Sequence, residues 1–462
     1  MKEFFKKTEN LFVILCLIVG LIFIAINPPF LVSDENSHFF KMYSITEGTL
    51  NFKKYTYQDG KTYAVSTLPQ SVVYIAKDAN DFIFNYNKKH SFEETRFMSK
   101  IQLNREKTSN FIYFIPSYGP LSYMPGILVL EAMKLLNVPP LWMMYILRVV
   151  SLLTYIFICY WAIRIVPVKK WLFLMSALLP ILVYSAGGIS TDGIVASMCI
   201  FYTAYMFNLA FNDEIGEISR KQYIIMTLTI FYITLCKFPY GTLALLLFVI
   251  PREKFSSKFS KNKTLLLTFL GIFIITFACY FYNSILTKNL SSPNHEIVSA
   301  KEALIFAIKN PGQIIYAVIN ATNKNYMLWY TGTIALFGWS DTSIPIFGYY
   351  LTSFLLILIS ILKNENEPQS EICAIKNKLI YFSIPFLFTI ITMAICYLLF
   401  SYNDFSTIRN MQGRYLAPLT PLFCSIFATN ISVKYNWIKI SSIVFYIILI
   451  CICVINIINR FY

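Results

Sequence analysis

The sequence predicts an all-α integral membrane protein of about eleven transmembrane helices, built as a single polytopic domain over residues 1–462. Three observations predict it. The chain is 56% hydrophobic and only 14% charged. Its apolar residues gather in runs near the length of a bilayer crossing, and its basic residues cluster in short loops between those runs. A soluble chain of this length could not bury so much apolar surface, so the bilayer is its solvent.

The first run covers 11–32, after Lys2, Lys6 and Lys7. It is too long, and its downstream flank too bulky, for a cleaved signal peptide, so a retained helix is expected. Further runs lie at 141–164, 171–189, 193–211, 222–236, 239–251, 264–286, 343–362, 379–400, 415–432 and 438–457. With the N-terminus in the cytoplasm, the basic clusters Arg164, Lys169, Lys170 and Arg252, Lys254, Lys258, Lys261, Lys263 all fall inside, as does the loop 433–439. That is the positive-inside pattern of a multi-pass protein. It also accounts for the net charge of +15 without any nucleic-acid partner.

Residues 118–136 are apolar but carry Pro120, Pro125, Glu131 and Lys134. A full crossing there would place Arg164, Lys169 and Lys170 outside, so an interfacial helix on the outer face is expected. The alternative is a true span offset by an error elsewhere in the count. Two long polar regions then face outward. Residues 33–140 include a hairpin at 54–63 with an Asp59-Gly60 turn. Residues 287–342 alternate amphipathic stretches with Pro311-Gly312 and Gly332. The runs at 222–251 are short and meet at Cys236-Lys237-Phe238-Pro239-Tyr240-Gly241, which leaves Lys237 in the outer half of the membrane. Such a lysine either lines a cavity and meets an anion or snorkels to the interface. Of the ten cysteines all but Cys373 fall in apolar runs, where they serve as small apolar fillers.

There is no GxGxxG and no P-loop, so a reaction here draws on a membrane-resident substrate. The charged residues near the outer face are few. Asp34 and Glu35 sit beside His38 at the end of the first run. Asp192 lies in Ser190-Thr191-Asp192-Gly193, and Asp341 in Gly338-Trp339-Ser340-Asp341. Arg409 and Arg414 flank Met411-Gln412-Gly413, ahead of Tyr415. Each alone has an ordinary explanation: Asp192 as a helix cap, Asp341 as turn chemistry, Arg414 as an interfacial anchor, His38 as a helix-surface residue. Together they suit transfer from a phosphate leaving group. One carboxylate takes the proton of an incoming hydroxyl, while Lys237, Arg409 and Arg414 hold the departing lipid phosphate. Asp34 is the expected base, Glu35 its support, and Asp192 a second acidic group. All three offer hard oxygen ligands to Mg²⁺ or Mn²⁺, with metal dependence left open.

At these residues the chain resembles a bacterial family of polytopic membrane proteins catalogued as domain of unknown function 2142. The resemblance rests on Asp34-Glu35 with His38, Pro180 followed by Ser190-Thr191-Asp192, Lys237-Phe238-Pro239, Gly338-Trp339-Ser340-Asp341 and Gln412-Gly413-Arg414-Tyr415. That family looks like the GT-C superfamily of membrane glycosyltransferases. The superfamily's acidic motif in the first outer loop matches Asp34 and Glu35, its later acidic residue matches Asp192, and its lysine at a short-helix break matches Lys237. The resemblance implies a sugar donor linked to polyprenyl phosphate and an extracytoplasmic glycan acceptor, with a catalytic role for Asp34. The chain shows no large soluble C-terminal domain of the kind some members use for acceptors, which leaves acceptor choice open. Rival readings are a flippase of lipid-linked saccharides, or a polysaccharide polymerase or ligase in which Arg409 and Arg414 matter more than Asp34.

Overall fold

A computed structural model describes residues 7–58, 60–113, 119–256, 260–291, 300–365, 367, 371–401, 405–434 and 436–462. Lys2, Lys6, Asp59, Tyr118 and Lys258 of the sequence expectations lie outside the described residues. The chain begins with α1 (Thr8–Ile26) and α2 (Glu35–Thr46), then a three-stranded antiparallel sheet of β1 (Lys53–Thr56), β2 (Thr62–Pro69) and β3 (Thr108–Ile112). Short helices α3 (Gln70–Tyr74) and α4 (Phe92–Met98) fall between β2 and β3. Next come α5 (Met124–Leu135), α6 (Pro140–Ile165), α7 (Lys170–Ala177), α8 (Pro180–Ala186), α9 (Asp192–Phe211) and α10 (Arg220–Cys236). A 3-10 segment, Phe238–Phe248, leads to α11 (Lys261–Thr287), α12 (Ala300–Lys309) and α13 (Pro311–Ile334). The strand pair β4 (Leu336–Phe337) and β5 (Thr342–Ser343) precedes α14 (Ile346–Ile361), β6 (Lys363–Asn364) and α15 (Ile375–Phe400). The chain closes with α16 (Thr420–Ser425), β7 (Ser432–Val433) and α17 (Asn436–Phe461).

Among the described residues six helices are long and apolar enough to cross a membrane: α1, α6, α9, α11, α15 and α17. These six account for part of the expected eleven or so spans, and the other runs form shorter or broken helices. Prolines, which lack the N–H a helix interior needs, break three of the other runs. Residues 171–189 split into α7 and α8 at Pro180, which opens α8. Residues 239–251 form the 3-10 segment with Pro239 in its first turn. Residues 415–432 break into the 3-10 turns Gly413–Tyr415 and Ala417–Leu419 and the six-residue α16. α10 and α14 have 17 and 16 residues. The segment expected at the interface forms α5, whose 12 residues extend only about 18 Å.

Burial separates helices that hydropathy does not. In α9, 78% of the spanning window is buried inside the protein, against 11% in α11. α9 is the central post, packed on α6, α8, α10 and the 3-10 segment, while α11 leans on α10 and the 3-10 segment and turns Phe273, Phe277 and Phe281 outward. Lipid and protein core are equally apolar, so both helices read alike in sequence.

Loop contacts sort the two ends of the bundle. At one end Lys169 Nζ donates to the carbonyls of Leu362 and Thr429 at 2.9 and 3.3 Å, and β6 pairs with β7. These are loops that the charge rule assigns to the cytoplasm. At the other end Lys89 Nζ donates to the carbonyls of Asn459 and Arg460, and Asp341 holds Arg460 at 2.8 Å.

Between them lies a buried ion pair. Arg148, in the third turn of α6, is 0% exposed and so is Glu35. Arg148 Nε and Nη2 donate to the two Glu35 oxygens at 2.8 and 2.7 Å. Nη1 reaches the carbonyls of Ile24 and Asn27, and Nη2 also that of Pro28. Glu35 Oε1 accepts a further bond from the Ile189 N–H at 3.1 Å. One arginine thus ties the end of α1, the start of α2 and the loop ahead of α9. Removing one partner strands a buried charge. Arg148→Met is expected to lower unfolding stability by about 3–5 kcal/mol, and Arg148→Met with Glu35→Gln to recover part of that loss. Unfolding in detergent, followed by circular dichroism, measures both.

Candidate functional site

The backbone reverses at the mouth of α1. Asp34 sits at φ 62°, ψ 8°, a left-handed conformation that aspartate tolerates, and α2 starts at the next residue. Its side chain makes no helix cap. Glu35 points into the bundle toward Arg148, while the Asp34 carboxylate is 45% exposed. Asp192 opens α9, with its N–H on Ser190 Oγ at 3.1 Å. The Ile189–Glu35 bond fixes that loop beside the Asp34 turn.

Lys237 ends α10 in an extended conformation, and Phe238-Pro239 then turns the chain into the 3-10 segment. Of the two expectations for this lysine the cavity holds: Nζ pairs with Asp192 Oδ1 and lies 4.3 Å from the centre of the Tyr415 ring. Arg414 reaches the same place from the far end of the sequence. Its Nη2 donates to Asp34 Oδ2 at 3.3 Å, and its Nε lies 3.1 Å from Asp192 Oδ2 as an ion pair whose N–H is not aligned for a hydrogen bond. Arg414 therefore bridges the two aspartates. Tyr240 Oη donates to the Tyr415 carbonyl at 2.7 Å and fixes this turn on the 3-10 segment. Trp329 Nε1 of α13 donates to the Met411 carbonyl at 3.0 Å and fixes it from the other side. Gly413 passes so close to α13 that an added Cβ would run into the Trp329 carbonyl and Gly332 Cα.

Asp192, Lys237, Tyr240, Arg414 and Tyr415 line a narrow cleft with about 10 Å³ of free space, backed by Leu182, Ser185, Val195, Ala196 and Pro418. His38 stands beside it, its Nδ1 2.7 Å from Tyr123 Oη. Burial lowers its pKa, the carboxylates of Asp34 and Asp192 push the other way, and Lys237 and Arg414 add to the lowering.

The site thus gathers Asp34, Asp192, Lys237, Arg414, Tyr415 and His38. It does not gather Glu35, Asp341 or Arg409. Glu35 is corrected from catalytic partner to structural anchor, because Arg148 takes both its oxygens. Asp341 is 2% exposed and holds Arg460 at the end of α17. Arg409 is exposed and off the cleft wall. The metal expectation for Asp34, Glu35 and Asp192 meets the same obstacle. Among the described residues no group of three or more His, Cys, Asp or Glu could hold a metal ion. Asp192 already faces two cations, so these residues do not fit a divalent ion. Sequence reasoning missed Arg148 and Tyr240. The signal for Arg148 was present, a lone arginine inside an apolar run.

The arrangement balances two carboxylates against two cations. Arg414 offers a planar fork matched to phosphate, and Lys237 a point charge. Of the two acids that Arg414 bridges, Asp34 is the more exposed.

Gly413→Ala should cost about 1–3 kcal/mol in thermal or denaturant unfolding, through the overpacking of α13. In a double-mutant cycle of Asp192→Asn and Lys237→Met, each single change should destabilise and the double change should be milder than their sum. His38 resists protonation when folded, so the unfolded chain takes up the proton first as pH falls. Its contribution is complete above the ordinary histidine pKa of about 6.5 and is lost as pH falls below it. His38→Gln should flatten the decline of melting temperature on acidification across that range.

No curated protein and no solved structure matches the chain. The model of a family described as predicted membrane protein (DUF2142) matches residues 17–423, most of the length, and the chain belongs to that family.

Proposed function

We propose that this protein is a membrane glycosyltransferase that moves a sugar from a polyprenyl-phosphate-linked donor to an extracytoplasmic glycan or lipid-linked glycan, in assembly of cell-envelope polysaccharide. The site end of the bundle then faces outward from a bacterial plasma membrane, with the basic loops inside. One observation carries the reading. Asp192, Lys237 and Arg414 line one cleft at the mouth of the bundle, and Asp34 joins them through its ion pair with Arg414, so that four separate parts of the sequence meet there. The resemblance to GT-C enzymes supports it, as does the absence of a nucleotide-binding motif.

In this reading the donor phosphate enters the cleft and takes Arg414 from Asp34. Arg414 and Lys237 hold the phosphate oxygens, while Asp192 keeps both cations in place. Released from its ion pair, Asp34 accepts the proton of the acceptor hydroxyl as that oxygen attacks the anomeric carbon. A glycosidic bond forms, the bond between that carbon and the phosphate oxygen breaks, and the electron pair leaves with polyprenyl phosphate. No metal is needed in this sequence of steps, because the two cations balance the leaving group.

Purified protein given a polyprenyl-phosphate sugar and candidate acceptors should release free carrier. Asp34→Asn should lower that rate at least about 100-fold, the low end of what a positioned base supplies. Full turnover by Asp34→Asn would defeat the assignment. Movement of labelled lipid-linked sugar across liposomes without carrier release would favour a flippase instead.

A further inference from the structure

The hairpin of β1 and β2 projects from the same end of the bundle as Asp34. β2 packs along α2, the helix that Asp34 precedes, and Ser66 Oγ donates to Ser44 Oγ at 2.8 Å. The two faces of the hairpin differ. In a strand alternate residues share a face, and cross-strand partners share it too. Lys54, Thr56 and Thr62 lie on one face, where Lys54 Nζ donates to the Lys288 carbonyl at 2.8 Å, just beyond the end of α11. The Ser291 N–H donates to the Thr62 carbonyl and the Thr62 N–H to Ser291 Oγ, which ties the hairpin to the same segment.

Lys53, Tyr55 and Tyr57 share the opposite face, and Tyr63 joins them as the cross-strand partner of Tyr55. The Tyr57 N–H donates to the Lys61 carbonyl at 2.9 Å, which places Lys61 opposite Tyr57 on that face. The tyrosines touch edge to face, with ring centres 4.8 Å apart for Tyr55–Tyr57 and 5.7 Å for Tyr57–Tyr63. All of β1 is exposed, and Tyr55 is 47% exposed. Three rings in contact, Tyr55 exposed and Tyr57 and Tyr63 half-buried, thus share one face of the hairpin with Lys53 and Lys61.

We propose that this tyrosine face binds an acidic glycan, holding a sugar chain that carries carboxylate or phosphate groups. The C–H bonds of a pyranose ring meet the electron-rich face of an aromatic ring, and the phenol hydroxyls offer hydrogen bonds to sugar hydroxyls. Lys53 and Lys61 attract the acid groups. The surface lacks what a bilayer-inserting patch needs: it carries no Leu, Ile, Phe or Trp to bury among acyl chains. Under the proposed transferase function, on which this use of the surface rests, the glycan is the acceptor.

The test uses the full chain in neutral-lipid nanodiscs with three probes: oligogalacturonate, a neutral dextran oligosaccharide, and phosphatidylglycerol vesicles. Oligogalacturonate should bind more tightly than dextran, with an affinity that falls as salt rises. Tyr55→Ala with Tyr57→Ala should weaken it at least about tenfold, the loss expected from removing two ring contacts. Lys53→Gln with Lys61→Gln should weaken it and flatten the salt dependence. Unchanged melting temperatures show that the variants remain folded. Equal binding by variants and wild type, dextran bound as tightly as oligogalacturonate, or association with the vesicles alone would each overturn the proposal. Wild-type protein that binds oligogalacturonate but releases no carrier keeps this surface and removes the transferase reading. Carrier release without glycan binding does the reverse.

Discussion

The site depends on a charge pair that takes no part in it. Arg148 and Glu35 are withdrawn from solvent, which costs more than their attraction returns unless every donor finds an acceptor. Here the guanidinium reaches both Glu35 oxygens and three carbonyls at the end of α1. Those carbonyls would otherwise be the unpaired end of a helix in an apolar setting. The pair therefore satisfies the terminus of α1, fixes the first residue of α2 and, through the Ile189 N–H, fixes the approach to α9. Two aspartates separated by more than a hundred residues are set beside each other by one arginine.

Around them the charges are arranged as a closed circuit. Lys237 faces Asp192, and Arg414 spans Asp192 and Asp34. This neutrality stabilises groups that would be costly at the edge of a membrane. The same neutrality makes the site responsive. Under the proposed function a phosphate competes for Arg414, and the aspartate it displaces is the one nearer solvent. Arg414 can serve this way because Gly413 lets its turn lie directly on α13, while Tyr240 and Trp329 hold the turn from either side.

Much of this was legible from charged residues in places where charge is expensive. Asp34, Asp192, Lys237 and Arg414 stood out for that reason, and the positive loops grouped them on one side. Glu35 carried the same signal as its neighbour. Telling the two apart requires knowing which carboxylate faces Arg148, and that contact spans 113 positions. The role of Asp341 likewise depends on Arg460 at the far end of α17. Hydropathy did not show where prolines cut apolar runs into short pieces, since those pieces still read as one run. Hydropathy was also silent on position, since the central α9 and the peripheral α11 are apolar for different reasons.

The central claim is that these four charged groups form one receptor for a lipid-linked phosphate. Titration of the purified protein with farnesyl phosphate, followed by phosphorus NMR, tests it most directly. The account predicts a saturable shift and broadening of the phosphate resonance in the wild type, lost in an Arg414→Gln protein that keeps its circular dichroism spectrum. An identical titration in the two proteins would contradict it.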